Sequence, residues 1–231
     1  MYIMAQLNKL EKYMFKSHEI KCNETHMPNI PQANLIKISS NTDPFFEIFR
    51  ALRHGQALRH GQALSHEQAL KIAAVEKCPP TLRVDGGVLK KKDVEQQILH
   101  APAFTLHTLQ IVCVLYELNV LVEFVAQKKF CQIIGVPGKP FHGIVRCQNK
   151  MFILQKNPST WAGHIYLAYL KEVAWEIDNV TSELNRIATY ALSDLQHICD
   201  KLQLPIVDAC GKTFKKIVLY ANILHCKTAP L

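Results

Sequence analysis

Several kinds of site are missing from this chain. It has eight cysteines, Cys22, Cys78, Cys113, Cys131, Cys147, Cys199, Cys210 and Cys226, yet no Cys-x-x-Cys pair and no zinc-finger spacing. No P-loop, Gly-x-Ser-x-Gly, His-Glu-x-x-His or dinucleotide fingerprint occurs, which excludes the commonest nucleotide, hydrolase and metalloprotease templates. Gly135-Val-Pro-Gly138-Lys139 lacks Walker spacing and reads as a loop between strands. No block of like charge exceeds Lys90-Lys91-Lys92, so there is no long basic tail. The most apolar stretch, Leu106 to Val125, is broken by His107, Gln110, Glu117, Asn119 and Glu123. It reads as a helix followed by a strand and not as a membrane span.

What is present suffices for one sizeable core plus an appendage: 231 residues, 48% of them hydrophobic. The net charge is +8, which favours a polyanion partner, although ordinary solubility gives the same balance. Cysteines in apolar settings, such as Cys113 and Cys199, read as buried reduced thiols. That fits an intracellular, reducing compartment rather than secretion. Met1 to Phe15 reads as an amphipathic helix through Ile3, Leu7, Leu10 and Met14, not as a signal peptide.

Residues 1–40 read as a helical leader and proline-punctuated linker, and residues 41–177 as an α+β domain. Asp43-Pro44 starts a helix whose face holds Phe45, Phe46, Ile48, Phe49 and Leu52. A hexapeptide then appears three times over residues 53–70. A six-residue step turns a helix by about 240°, so its leucines share no face. The repeat reads as a duplication in a surface loop, and His54, His60 and His66 lack supporting metal ligands. Ser65-His-Glu-Gln68 predicts a capping box for a helix to about Glu76. Val84 to Gly87 reads as a turn, Lys90 to His100 as a helix, and Thr105 as the cap of a helix through Leu118.

The period then changes. Asn119 to Phe124 and Lys129 to Ile134 are predicted strands, followed by a hairpin of His142 to Cys147 with Met151 to Leu154. Trp161 to Ala174 has helical spacing, while Val173 to Ile177 can instead form a last edge strand. The class is therefore α+β: helices plus a small antiparallel sheet, followed by a C-terminal helix–extended–helix unit.

That unit occupies residues 178–231. Ser193 is expected to cap its first helix, with Leu195, Ile198, Cys199 and Leu202 on one face. Thr213 is expected to cap the second, with Ile217, Tyr220, Ile223 and Leu224 packed inward. Lys212, Lys215, Lys216 and Lys227 follow Cys210 with no acid among them. Lysines beside a helix N-terminus suit phosphate, because free amides and the helix dipole already favour an anion there. A solvated lysine face is the other reading. Lys212, Lys215 and Lys216 are the candidate nucleic-acid contacts, with Lys201 and Lys227 peripheral.

Leu192-Ser-Asp-Leu195 through Leu202, then Gly211-Lys212, Leu219-Tyr220 and Ile223-Leu224, resemble a SAP-type module. SAP modules commonly bind DNA, and sometimes RNA or protein. The wider order is Asp43-Pro-Phe-Phe, Asp93-Val-Glu, Thr105-Leu106 to Cys113, Asn119-Val-Leu-Val, Trp175-Glu-Ile-Asp-Asn179, Leu184-Asn-Arg-Ile187, then the terminal unit. It resembles an uncharacterised protein family of the nucleocytoplasmic large DNA viruses over residues 41–224. The resemblance implies a viral DNA-binding protein of an infected cell or virion. The leader and the hexapeptide repeat inherit nothing from it.

Residues 41–154 also follow the order of papain-like or ovarian-tumour-type cysteine proteases, with His142 at the place of the base. Such a site needs a thiolate at the first helix N-terminus, and Asp43 to Phe49 holds no cysteine. Cys22 and Cys78 lack the required context. The expectation is a protein that is not an enzyme, takes no cofactor or metal, has no catalytic residue, and binds nucleic acid rather than a membrane. The alternative is an inactive protease-like module for a peptide or ubiquitin-like partner.

Overall fold

The computed structural model describes residues 35–39, 43–54, 63–84, 87–148, 151–177, 179–181 and 183–227. The amphipathic pattern of Met1 to Phe15 and residues 55–62 of the repeat lie outside them. In chain order the elements are β1 (Leu35–Ser39), α1 (Pro44–His54), α2 (Ala63–Lys77), β2 (Thr81–Val84), β3 (Gly87–Lys90), α3 (Lys91–Leu99) and α4 (Leu106–Leu115). There follow β4 (Asn119–Phe124), β5 (Lys129–Ile134), β6 (Gly143–Gln148), β7 (Met151–Lys156), α5 (Thr160–Val173), β8 (Trp175–Glu176), α6 (Leu192–Leu202) and α7 (Lys216–Lys227). The fold is α+β.

The main sheet has six strands in the order β1-β7-β6-β4-β5-β8, and β2 and β3 form a separate antiparallel hairpin. The main sheet is mixed, which corrects the antiparallel expectation. β4 and β5 pair antiparallel, but β6 lies parallel to β4 on its other side, and β8 runs parallel to β5. Asn119 is the physical reason for the crossing. Its Nδ2 donates to the carbonyls of Val136 and Lys139, both at 2.8 Å, while its Oδ1 accepts the amides of Gly135 and Val136. This buried side chain folds residues 135–139 over the end of β4, so the chain re-enters the sheet beside β4 instead of beside β5.

β1 is a second correction. Leu35 to Ser39 falls within the predicted leader, yet it pairs with β7 over its whole length. Ile36 and Ile38 alternate with the polar Lys37 and Ser39, a strand period that the prolines upstream obscure. Asp43 caps α1 by accepting the Phe46 amide at 3.3 Å and also takes the Phe104 amide. Thr105 and Thr108 cap α4 reciprocally. α4 stops at Leu115, three residues before its predicted end, because Glu117 turns left-handed at φ 58°. α2 begins at Ala63, so Ser65 sits inside the helix and not at its cap.

β4 is buried on both faces. Val120, Val122 and Phe124 join the main core, together with Phe46, Phe49, Phe104, Val112 and Val145. Leu121 faces the other way, into a smaller cluster with Phe130, Ile144, Tyr166 and Leu170 under α5. Glu123 lies on that second face. It accepts hydrogen bonds from Arg146 Nε at 2.8 Å and from the Tyr166 hydroxyl.

Burial first, and then the Glu123 charge, push the Tyr166 hydroxyl far above the ordinary tyrosine value. The native state therefore keeps this proton where the unfolded chain, titrating at about 10, releases it. The stabilisation is full below that pH and declines as pH rises through it. Tyr166→Phe should destabilise the protein near pH 8, and the gap to wild type should shrink by about 1.4 kcal/mol per unit above pH about 10. Urea unfolding at pH values of about 8 and about 11 checks this, and an unchanged gap refutes the neutral buried phenol.

Cys78, Cys113, Cys131, Cys147 and Cys199 are buried, while Cys210 is exposed. Burial, with the Asp200 charge second, pushes the Cys199 thiol up to about 11. No described helix is long and apolar enough to cross a membrane.

Candidate nucleic-acid interface

The terminal unit starts where β8 leaves the sheet. The Ile177 amide donates to the Phe130 carbonyl at 2.9 Å, and Lys129 Nζ pairs with Glu183 at 2.7 Å. α6 then packs Leu195, Ile198, Cys199 and Leu202 inward, as its period predicts. Its cap differs from the prediction. Ala191 is the N-cap and Asp194 accepts the Ala191 amide at 2.6 Å, leaving Ser193 inside the first turn. A carboxylate in that turn also complements the helix dipole, which a serine cannot do.

Gln203, at φ 57°, ends α6, and the Leu204 amide closes back on the Cys199 carbonyl at 2.8 Å. Residues 206–214 form a tight reversal. Val207 and Thr213 make an isolated antiparallel bridge, and the Phe214 amide donates to Ile206. Thr213 therefore pairs with the extended connection and does not cap α7. The reversal is tied by Asp208, whose Oδ1 accepts the amides of Cys210 and Lys212, both at 2.9 Å. Gly211 sits at its corner with φ +76°. An aspartate just before a glycine turn is a recognisable signal for such a knot.

α7 opens with Val218 and Leu219 both bonded to the Lys215 carbonyl, so the Lys216 and Ile217 amides lie at the open end of the helix. Leu219 and Ile223 are fully buried, and the Tyr220 hydroxyl donates to the Asn185 carbonyl at 2.9 Å. The predicted packing face is therefore rotated. Ile217 is 66% exposed and Leu224 41%. Ile217 lies two residues, about 200°, from Leu219, so seating Leu219 turns it to solvent. The buried residues of both helices belong to the same apolar cluster as Trp175, Val120 and Val122. The unit is thus seated on the domain core.

Lys212 and Lys215 are exposed, and Lys216 is half-buried at the start of α7. The three follow one another across the reversal and the helix entry. Among the described residues, no carboxylate lies within ion-pair distance of any of them. Asp208 is turned toward backbone amides. Lys201 has a different role: its Nζ donates to the Lys171 carbonyl at 2.5 Å, at the end of α5. Burial lowers its pKa from the ordinary lysine value. The Lys227 side chain lies outside the described residues.

His142 belongs to neither part of this surface. Its Nδ1 accepts the Asn119 amide at 3.0 Å, and its own amide donates to the Asn119 carbonyl. The neighbouring Gly143 stands against Leu52 near the end of α1. Pro44, at the other end, is about 12 Å away along the helix. A protease-like base would need to face that N-terminus, where Asp43 caps. Among the described residues, no group of three His, Cys, Asp or Glu side chains is placed to hold a metal ion. Comparison with known proteins gives no matching family model, curated protein or solved structure.

Proposed function

We propose that this chain is a non-enzymatic nucleic-acid-binding protein that contacts DNA phosphates through a SAP-like terminal unit, in the setting of a large DNA virus. Lys212, Lys215 and Lys216 are the contacts. The observation that carries the reading is their placement: three cations without ion-pair partners among the described residues, on a reversal locked by Asp208 and at the open end of a twelve-residue helix. A fixed backbone holds the lysines in one region at little entropic cost on binding. Phosphate contacts carry no sequence information, so weak sequence preference is expected.

The full chain and its Lys212→Glu/Lys215→Glu/Lys216→Glu variant should be titrated with duplex DNA over a range of salt. Three phosphate contacts predict an affinity that falls roughly 40-fold between about 50 and about 200 mM salt. The variant should lose that part of the salt dependence and bind at least about tenfold more weakly at low salt. Affinity indifferent to salt, or unchanged in the variant, sinks the reading.

A further inference from the structure

The β2–β3 hairpin and the start of α3 carry a second group of exposed cations. Its register pairs Leu82 with Leu89 and Arg83 with Val88. Leu82 and Val84 are buried on the inner face against the core. Thr81, Arg83, Val88 and Lys90 therefore form the outer face, and all four are exposed. Lys91 and Lys92, also exposed, continue the charge into α3. Among the described residues, none of Arg83, Lys90, Lys91 and Lys92 has a carboxylate within ion-pair distance. Asp93, next to Lys92, is engaged by the Lys90 amide at 3.1 Å, and Asp85, two residues from Arg83, lies outside the described residues. Val88, 61% exposed, is an apolar residue set among these charges.

We infer that the outer face of this hairpin is a second nucleic-acid contact surface, separate from the terminal lysines. A two-stranded ribbon is one of the two elements that a DNA major groove admits. Arg83 and Lys90 on the ribbon, with Lys91 and Lys92 at the start of α3, can neutralise phosphates beside the groove, while Val88 offers an apolar contact to a base edge such as a thymine methyl. The hairpin is also rigidly held, since Leu82, Val84 and the α3 residues Val94 and Ile98 anchor it in the core. The inference extends the proposal of nucleic-acid binding but requires nothing of Lys212, Lys215 or Lys216.

The test uses the full chain with labelled duplex DNA and compares Arg83→Gln/Lys90→Gln/Lys91→Gln/Lys92→Gln with the terminal triple variant. The hairpin variant should weaken binding by at least about tenfold at low salt and reduce the slope of log affinity against log salt by roughly 3 to 4. Val88→Glu guards against a folding artefact, because the site is exposed. It should keep the thermal unfolding midpoint and still weaken binding severalfold. Binding and slope unchanged in the hairpin variant overturn the inference whatever the terminal variant does. A loss confined to the hairpin variant supports it and overturns the terminal-lysine reading instead. Absence of DNA binding by the wild type overturns both. Tighter binding to phosphatidylserine-containing vesicles than to duplex, lost in the same hairpin variant, overturns the assignment of nucleic acid as the partner.

Discussion

Gly135→Ala is expected to destabilise the protein by more than about 4 kcal/mol, a large share of a domain's usual stability. A Cβ at this position would lie 2.5 Å from the Cys113 carbonyl oxygen, 2.6 Å from the Leu118 nitrogen and 2.7 Å from the Leu118 oxygen. All three are backbone atoms, so no side-chain rotation relieves the contact. Gly135 is also held in place, since its amide donates to the Leu118 carbonyl and to Asn119 Oδ1. Relief requires moving the end of α4 away from the start of β4, which breaks the Asn119 arrangement that sets the crossing into β6. Gly143→Ala is the informative contrast. There the added atom meets Leu52 Cδ2 at 2.8 Å and Leu154 Cδ1 at 2.9 Å, both flexible ends. Its cost should be about 1 to 3 kcal/mol. Urea midpoints of the two variants measure the difference, and a Gly135→Ala protein within about 1 kcal/mol of wild type would disprove the packing described.

The second large effect is expected at Arg146. Arg146 and Glu123 side chains are only 15% and 8% exposed, and the pair sits between the sheet and α5. Arg146→Met leaves the Glu123 carboxylate buried with the Tyr166 hydroxyl as its remaining described hydrogen-bond donor. The expected loss is about 3 to 5 kcal/mol, because an uncompensated buried charge costs more than the pair contributes. Arg146→Met combined with Glu123→Leu should recover most of it, since Leu121, Ile144 and Leu170 already make that surface apolar. The double variant thus separates loss of packing from loss of charge balance. If it is as unstable as the single variant, burial of charge is not the cause. Binding to DNA should be unaffected by either variant once stability is matched, because neither residue belongs to the proposed surfaces.

Much of the architecture was legible before folding. β4 and β5 match their predicted residues, and α1, α3 and α5 begin within a residue of the predicted starts. Those segments have a clean hydrophobic period, and α1 adds a strong boundary at Asp43-Pro44. The departures have separate causes. Asp194 caps α6 in place of Ser193, Thr213 bridges to Val207, and Ile217 is turned outward by the seating of Leu219. β2 and β3 escaped notice because four-residue strands around two glycines give a turn signal stronger than their own period. β1 was hidden by the prolines before it.

The sequence by itself determined most of the helices and the strands β4 to β7, the excess of positive charge and the lysines after Cys210. It did so because hydrophobic period, capping chemistry and charge are local properties of the chain. Only the tertiary structure decided that β6 runs beside β4, that Lys201 bonds the Lys171 carbonyl of α5, and that Arg83 and Lys90 share one exposed face. Those outcomes depend on pairings between distant residues, such as Asn119 with the 135–139 loop and Lys201 with Lys171. No local pattern encodes which distant partner a side chain will meet.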